Sequence, residues 1–253
     1  MAPNARQALA SPTRAGGGPP LDVPGARRHR SRAVAPVAAV PTLEEVAAHI
    51  PVRPVGYAVA KRALDLLVAT VAIVLLSPIL LLAALLVRLT SRGAVIYTQT
   101  RVGVGGREFT CYKFRSMCAN ADALRSRIRH LSLDDTTFKV VNDPRITPVG
   151  RWLRRMSIDE LPQLLNVLRG DMSIVGPRPP LPEEVMKYTR HQLGRLSVKP
   201  GLTCLWQVSG RSHIGFAHWV ELDLLYIDTM SFTRDLSIIL RTVPAVLTCR
   251  GAY

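Results

Sequence analysis

The first forty residues contain no apolar run of the kind that forms the core of a secretory signal, so no signal peptide is expected on pattern. The four cysteines, Cys111, Cys118, Cys204 and Cys249, form no CxxC pair and no metal-type spacing. That excludes a zinc module and points to reduced thiols in a cytoplasmic compartment. No internal repeat is detectable, so a solenoid is excluded. Glycines 103, 105 and 106 do not fit GxGxxG, and no helix or acidic partner follows at the right distance, which excludes a dinucleotide loop. Acidic residues are few: 18 Asp+Glu stand against 33 Lys+Arg, for a net charge of +15. Six of the bases and three of the acids lie in residues 1–50, so the remaining residues still carry +12. Such a surface suits an anionic leaflet, a phosphate-rich substrate or nucleic acid. A recognition helix, RNP-like aromatic strands and zinc spacing are all missing, so nucleic acid is set aside.

What the chain does have is Leu66–Val87, 22 residues without a charge, with Ser77-Pro78 near the middle. As one helix it would reach across a bilayer core of roughly 30 Å. Its flanks oppose a simple span. Lys61 and Arg62 precede it, while Arg88, Arg92 and Arg101 follow. A span would leave one basic cluster on the outer side, against the cytoplasmic bias of Lys and Arg. Pro78 removes a backbone donor and clashes with the preceding turn, and the Ser77 hydroxyl can satisfy a freed carbonyl. These features predict a helix–break–helix hairpin that enters and leaves by one face. An ordinary transmembrane helix with a tolerated proline is the alternative on these residues alone.

Three regions follow. Residues 1–56 read as a disordered Pro/Ala/Arg-rich tail, with a short helix begun by the capping box Thr42–Glu45 and ended before Pro51. Its Arg27–Arg32 run is a solvated charge run or a contact for anionic lipid. Residues 57–92 form the membrane hairpin, and residues 93–253 a cytoplasmic domain. In that domain Ala94–Gln99 and Glu108–Phe114 read as strands around the turn Arg101–Arg107. Helices are expected at Ala119–His130, Pro148–Met156, Leu161–Leu168, Pro182–Leu193, Trp219–Ile227 and Leu236–Leu247. The fold class is α+β, mostly helical with a small β-hairpin, monotopic, with interfacial amphipathic helices. Pro148–Met156, with Arg151, Arg154 and Arg155 beside Trp152 and Leu153, either lies in a membrane interface or packs its apolar face into the core.

Two segments carry the chemistry. In Ser157-Ile-Asp-Glu-Leu-Pro-Gln163, Asp159 and Glu160 follow an arginine cluster and precede a helix start, where both the helix and Arg154 or Arg155 favour ionised carboxylates. An ionised Asp can attack phosphorus, and an adjacent Glu can hold the Mg²⁺ that neutralises a diphosphate. Ser157-x-x-Glu160 also fits a capping box, in which Glu160 is only structural. In the second segment, Arg178 sits between Pro177 and Pro179, in a stiff backbone with little freedom to lose on gripping phosphate. A plain rigid loop is the alternative. Lys113, Arg115, Arg145 and Arg211 are further phosphate candidates. Asp223, mid-helix among leucines, serves the site or a buried salt bridge.

The ordered run of KRALD, the Ser-Pro-broken apolar stretch, YKFRSM, DPRIT..GR, SIDELPQLLNVLRGDMSIVGPRP, KPGLT.LWQVSGR and ELDLLYID resembles the bacterial sugar transferase family over residues 57–253. These are monotopic phosphoglycosyl transferases that act on polyprenyl phosphate. The resemblance implies that Asp159 attacks the β-phosphate of a UDP-sugar, releases UMP and forms a covalent sugar-phosphate. Transfer to undecaprenyl phosphate would follow and initiate exopolysaccharide or other glycoconjugate synthesis. Glu160 would bind Mg²⁺, and Arg154 and Arg178 would match phosphate-binding positions. Lys61, Arg62 and Asp65 would match the start of the re-entrant segment, with an Arg–Asp contact fixing the hairpin, and Ser77 and Pro78 its break. The setting implied is the inner membrane, with the catalytic domain on its cytoplasmic face and an anionic leaflet as partner. Cys204 stands where the family usually has Gly. A catalytically silent scaffold of polysaccharide assembly and a membrane-tethered nucleic-acid-binding protein are the competing readings. The sugar, the final glycan and the oligomeric state, a homodimer among the options, stay open.

Overall fold

A computed structural model describes residues 54–132, 136–138, 140, 142–209 and 215–249. The tail helix at Thr42–Glu45, the Arg27–Arg32 run and Arg211 lie outside the described residues. Helix α1, Val55–Thr90, runs for 36 residues, and its most apolar window has a mean hydropathy of 2.8. The expected division into two helices is not what the chain does. Pro78 lies inside one helix, and the reason is local. Proline has no N–H for the carbonyl four residues back, that of Val74, and the Ser77 hydroxyl donates to that same oxygen at 2.8 Å. The serine supplies the bond that the proline removes.

Both ends of α1 pack on the same domain. Ala69 joins a core with Val167, Ile174, Tyr226 and Ile238. Ala83 and Val87 join another with Phe114, Leu153 and Ile158. Between these ends Val71, Val74, Leu75, Ile79, Leu81 and Leu82 are exposed. Soluble proteins seldom present a continuous apolar surface of this kind to water.

The basic and acidic residues that open α1 act as docking pins. Arg62 donates to the carbonyls of Val167 (2.7 Å) and Leu168 (2.8 Å), in the last turn of a helix where a cation is favoured. Asp65, 4 % exposed, accepts from the Ser173 hydroxyl and the Ile174 amide, both at 2.9 Å. The Arg–Asp contact implied by the resemblance is therefore replaced by separate contacts of each residue, Arg62 to residues 167–168 and Asp65 to residues 173–174. Lys61 pairs with Asp235 at 3.0 Å and donates to the Val175 carbonyl at 3.0 Å.

Strands β1 (Ile96–Val102) and β2 (Glu108–Phe114) pair antiparallel, from Ile96 opposite Phe114 to Val102 opposite Glu108. β1 is longer than expected and takes in Arg101. After a single helical turn (Ala121–Arg125) that runs on as 3₁₀ helix (Ser126–Leu131), where a longer helix was expected, come α2 (Pro148–Arg155), a 3₁₀ turn (Ile158–Gln163) and α3 (Leu164–Arg169). Thr147 caps α2 by accepting from the Gly150 amide at 2.9 Å, with Pro148 at the first helical position. The open question about α2 resolves side chain by side chain: Leu153 is fully buried, whereas Arg151, Trp152 and Arg155 are exposed. A second, parallel pair, β3 (Ser173–Val175) and β4 (Gly201–Thr203), was not legible, because strands of three residues leave no alternation to read. Two longer helices, α4 (Phe216–Asp228) and α5 (Phe232–Leu247), complete the layer behind it. The expected helix over Pro182–Leu193 is two one-turn helices, Pro182–Val185 and Arg190–Leu193.

Gly150 lets α2 approach the preceding chain. A Cβ there would fall 1.9 Å from the Ser116 carbonyl oxygen, which is backbone and cannot swing away. Gly150→Ala is expected to destabilise the fold by about 1–3 kcal/mol through overpacking, read as a lowered Tm.

Candidate active site

Between α2 and the 3₁₀ turn the chain bends at Ser157, which adopts the left-handed conformation with φ 55°. A non-glycine residue there costs about 1–2 kcal/mol and aims the next residues sharply. Ser157 makes no side-chain cap bond, so the capping-box geometry is not formed. Buried Ile158 and Pro162 anchor the turn, and Asp159 and Glu160 project between them.

Strand β2 runs beside this turn because the fully buried Asn166 ties it there. Its side-chain amide donates to the Thr110 carbonyl at 2.7 Å and its oxygen accepts from the Tyr112 amide at 3.1 Å. Lys113 then lies with its ammonium 2.7 Å from Glu160 Oε1, and the Arg178 guanidinium is 3.9 Å from the same oxygen. The two carboxyls are driven apart in acidity. Burial, then repulsion from Glu160, raises Asp159 to about 6. Burial also opposes ionisation of Glu160, but Lys113 and Arg178 outweigh it and hold that group at about 2. Adjacent carboxyls pushed in opposite directions mark a division of labour.

Arg178 is presented by a loop whose backbone is held at every carbonyl. Pro177, Arg178, Pro179 and Pro180 accept, in turn, from the Gly201 amide (2.8 Å), Arg195 Nη2 (3.3 Å), Arg101 Nη1 (2.9 Å) and the Val102 amide (3.0 Å). Three of the four residues have no N–H of their own. The loop is fixed before any ligand arrives. A shallow cleft opens here, lined among others by Arg101, Lys113, Glu160, Gln163, Arg178 and Gln207. Arg154, one turn before the bend, points its guanidinium to the Ser116 hydroxyl at 2.8 Å and favours the ionised form of Asp159.

The family model described as bacterial sugar transferase matches residues 56–249, which include the apolar helix, the Asp159-Glu160 turn and the Pro-Arg-Pro loop. The chain belongs to the bacterial sugar transferase family. It is 44% identical over 207 residues to the exopolysaccharide production protein ExoY of Rhizobium meliloti, covering 80% of this chain and 91% of that one. A UDP-glucose:undecaprenyl-phosphate glucose-1-phosphate transferase of Caulobacter vibrioides is 44% identical over 203 residues, 76% of this chain and 72% of that one. An undecaprenyl-phosphate galactose phosphotransferase of Salmonella typhimurium is 40% identical over 202 residues, 76% of this chain and 41% of that one.

This sugar transferase gathers Lys113, Arg154, Asp159, Glu160 and Arg178 but commits three other candidates elsewhere. In place of a phosphate, Arg115 takes the Ala94 carbonyl and both oxygens of Ser91, tying the end of α1 to β2. Arg145 forks onto Asp143 at 2.7 Å and donates to the Ala121 carbonyl at 3.1 Å. That pairing holds the Asp143 carboxyl below its usual range against the effect of burial. Asp223 is the partner of Arg195 at 2.8 Å, the buried salt bridge that was one of its two readings. Lys61, Arg62 and Asp65 dock α1, and Ser77 and Pro78 lie at its middle. Arg101, Gln163, Gln207 and Arg195 were missed. Arg101 had looked like a flanking charge, and the two glutamines stood inside quoted motifs without an assigned role.

The cluster has the donor chemistry for a phosphate-completed Mg²⁺ site. Mg²⁺ takes one or two carboxylates and fills its remaining positions with water and phosphate oxygens. Glu160 is a carboxylate whose ionised form Lys113 and Arg178 favour, with Asp159 beside it. Among the described residues no group of three or more His, Cys, Asp or Glu could enclose a metal alone.

Proposed function

We propose that this protein transfers a sugar-1-phosphate, a hexose-1-phosphate, from a UDP-sugar to undecaprenyl phosphate and so initiates exopolysaccharide synthesis. The observation that carries this reading is a buried carboxylate, Asp159, next in the chain to Glu160, which Lys113 and Arg178 hold at the wall of a basic cleft. The choice of sugar rests on the glucose and galactose transferases it resembles.

Two displacements at one phosphorus describe the reaction. An Asp159 oxygen attacks the β-phosphorus, the bond to the bridging oxygen breaks, and UMP leaves with that electron pair. An oxygen of undecaprenyl phosphate then attacks the same phosphorus, and the bond to Asp159 breaks to regenerate the carboxylate. Splitting the transfer means that the water-soluble and lipid substrates need not be held together. Arg178 and Lys113 offset the charge of the phosphates, and Arg154 favours ionised Asp159. Glu160 would hold Mg²⁺, which when bound neutralises the diphosphate. A panel of UDP-sugars incubated with undecaprenyl phosphate and Mg²⁺ tests the reading. At least one sugar should release UMP, and release from none would overturn it.

The same reading places α1 in the cytoplasmic leaflet with both ends on the cytoplasmic side. Support comes from its two ends packing on one domain while its apolar middle is bare. On α5, Phe232, Leu236, Leu240, Val243 and Leu247 form an exposed stripe at helical spacing, and exposed Trp152 flanked by Arg151 and Arg155 suits an interface. Single cysteines introduced beside Lys61 and beside Arg92 should both react with an impermeant maleimide only in inverted vesicles. Reaction of one from each side would contradict this one-sided attachment.

A further inference from the structure

Arg195 heads the fully buried large side chains, at 2% exposure, and it does not line the cleft. Its guanidinium is bound on every side. Nε and Nη2 meet Asp223 Oδ2 at 2.9 and 2.8 Å, and Nη1 donates to the Tyr188 hydroxyl at 2.6 Å. Nη2 also reaches the backbone carbonyl of Arg178 at 3.3 Å. One aromatic ring connects the two arginines a second time. The guanidinium carbon of Arg195 lies 4.9 Å from the Trp219 ring centroid and that of Arg178 lies 5.9 Å from it. Trp219 is itself held by Trp206, with ring centroids 4.6 Å apart, and by Phe216 at 5.6 Å.

We propose that Arg195 is a positioning residue for sugar-phosphate transfer: through the Arg178 carbonyl and the shared Trp219 ring it sets where the Arg178 guanidinium points in the cleft. The inference rests on the proposed function and names a determinant of the same site. Asp223 neutralises Arg195, so the pair acts as a fixed hydrogen-bond donor rather than a second free charge beside the substrate. The arrangement needs a planar fork. One head must serve a carboxylate, a phenol, a carbonyl and a ring face together, and an ammonium cannot do this. Of the four clamps on the Pro-Arg-Pro loop, this is the one that grips the residue whose side chain faces Glu160. Because Arg195 stands outside the cleft, its contribution to catalysis must pass through Arg178.

A double-mutant cycle on the full-length protein in nanodiscs tests this, measuring kcat and KM for UMP release. Arg178→Ala should lower kcat/KM about 100-fold, as loss of a transition-state charge contact does. Arg195→Lys should lower it about 10-fold in the wild-type background and less than about 2-fold when Arg178 is already Ala. Trp219→Phe, which keeps an aromatic ring, gives a second cycle should Arg195→Lys not fold, with a loss of about 3-fold that also vanishes without Arg178. Losses of equal factor in both backgrounds, from whichever cycle can be measured, would show a general structural role and overturn the inference alone. A wild-type protein that releases UMP from no UDP-sugar would overturn the functional reading and this inference with it.

Discussion

Asp159→Ala is expected to lower sugar-phosphate transfer by at least about 10³-fold, because it deletes the attacking atom and not merely a contact to the substrate. The same change should leave the fold at least as stable as before. Burial, with repulsion from Glu160 second, raises the pKa of Asp159 from an ordinary value of 3.8 to about 6, so keeping this carboxylate ionised works against folding. The sign follows from proton counting. Between about pH 4 and 6 the folded state binds more protons than the unfolded state, so stability declines as pH rises through that window and then levels off. The penalty is therefore fully present at neutral pH and fades in acid. Thermal unfolding should show Tm of Asp159→Ala at or above wild type at neutral pH, with the difference shrinking as pH falls toward 4. Loss of activity together with a lowered Tm would indicate a structural carboxylate.

The second large effect concerns the docking of the membrane helix. Asp235 is fully buried and accepts from Lys61 (3.0 Å), Tyr57 (3.0 Å) and Tyr226 (2.6 Å). Asp235→Ala leaves the Lys61 ammonium buried against the Val175 carbonyl and the Tyr226 hydroxyl with no carboxylate. Removing one partner of a buried pair costs about 3–5 kcal/mol, a large part of the net stability of a domain this size. The loss should concentrate where α1 meets α5. Hydrogen exchange should speed up at residues 57–65 more than at residues 83–90, whose packing on Phe114 and Leu153 is untouched. Equal acceleration at both ends would mean that α1 docks as one unit.

Much of the site was legible because its parts lie close in sequence and use residue types with few roles. An Asp-Glu pair before a proline-marked turn and an arginine between prolines stand out locally, each readable as phosphate chemistry or as plain structure, and the resemblance to one family is what favoured the chemistry. The remainder depends on long-range contacts. Nothing in the local pattern distinguishes Lys113, which reaches Glu160, from Arg115, two residues on, which the end of α1 consumes. Arg145 likewise reads as an open charge until Asp143 folds onto it, and for Asp223 the sequence allows a salt bridge without naming Arg195 as its partner. The hairpin strands were readable from composition, and the β3–β4 pair was not, since its pairing joins residues 173–175 to residues 201–203. At Ser77-Pro78 the sequence contained both the disruption and its remedy, and the helix continues because the remedy acts on the very carbonyl that the proline strands.

Intact-protein mass spectrometry after incubation with the preferred UDP-sugar and Mg²⁺, in the absence of undecaprenyl phosphate, tests the covalent route most directly. The account predicts one added sugar-phosphate, mapped to Asp159 by peptide sequencing, missing from Asp159→Ala and discharged when the lipid phosphate is supplied. A protein that stays unmodified and releases UMP only when both substrates are present would contradict it.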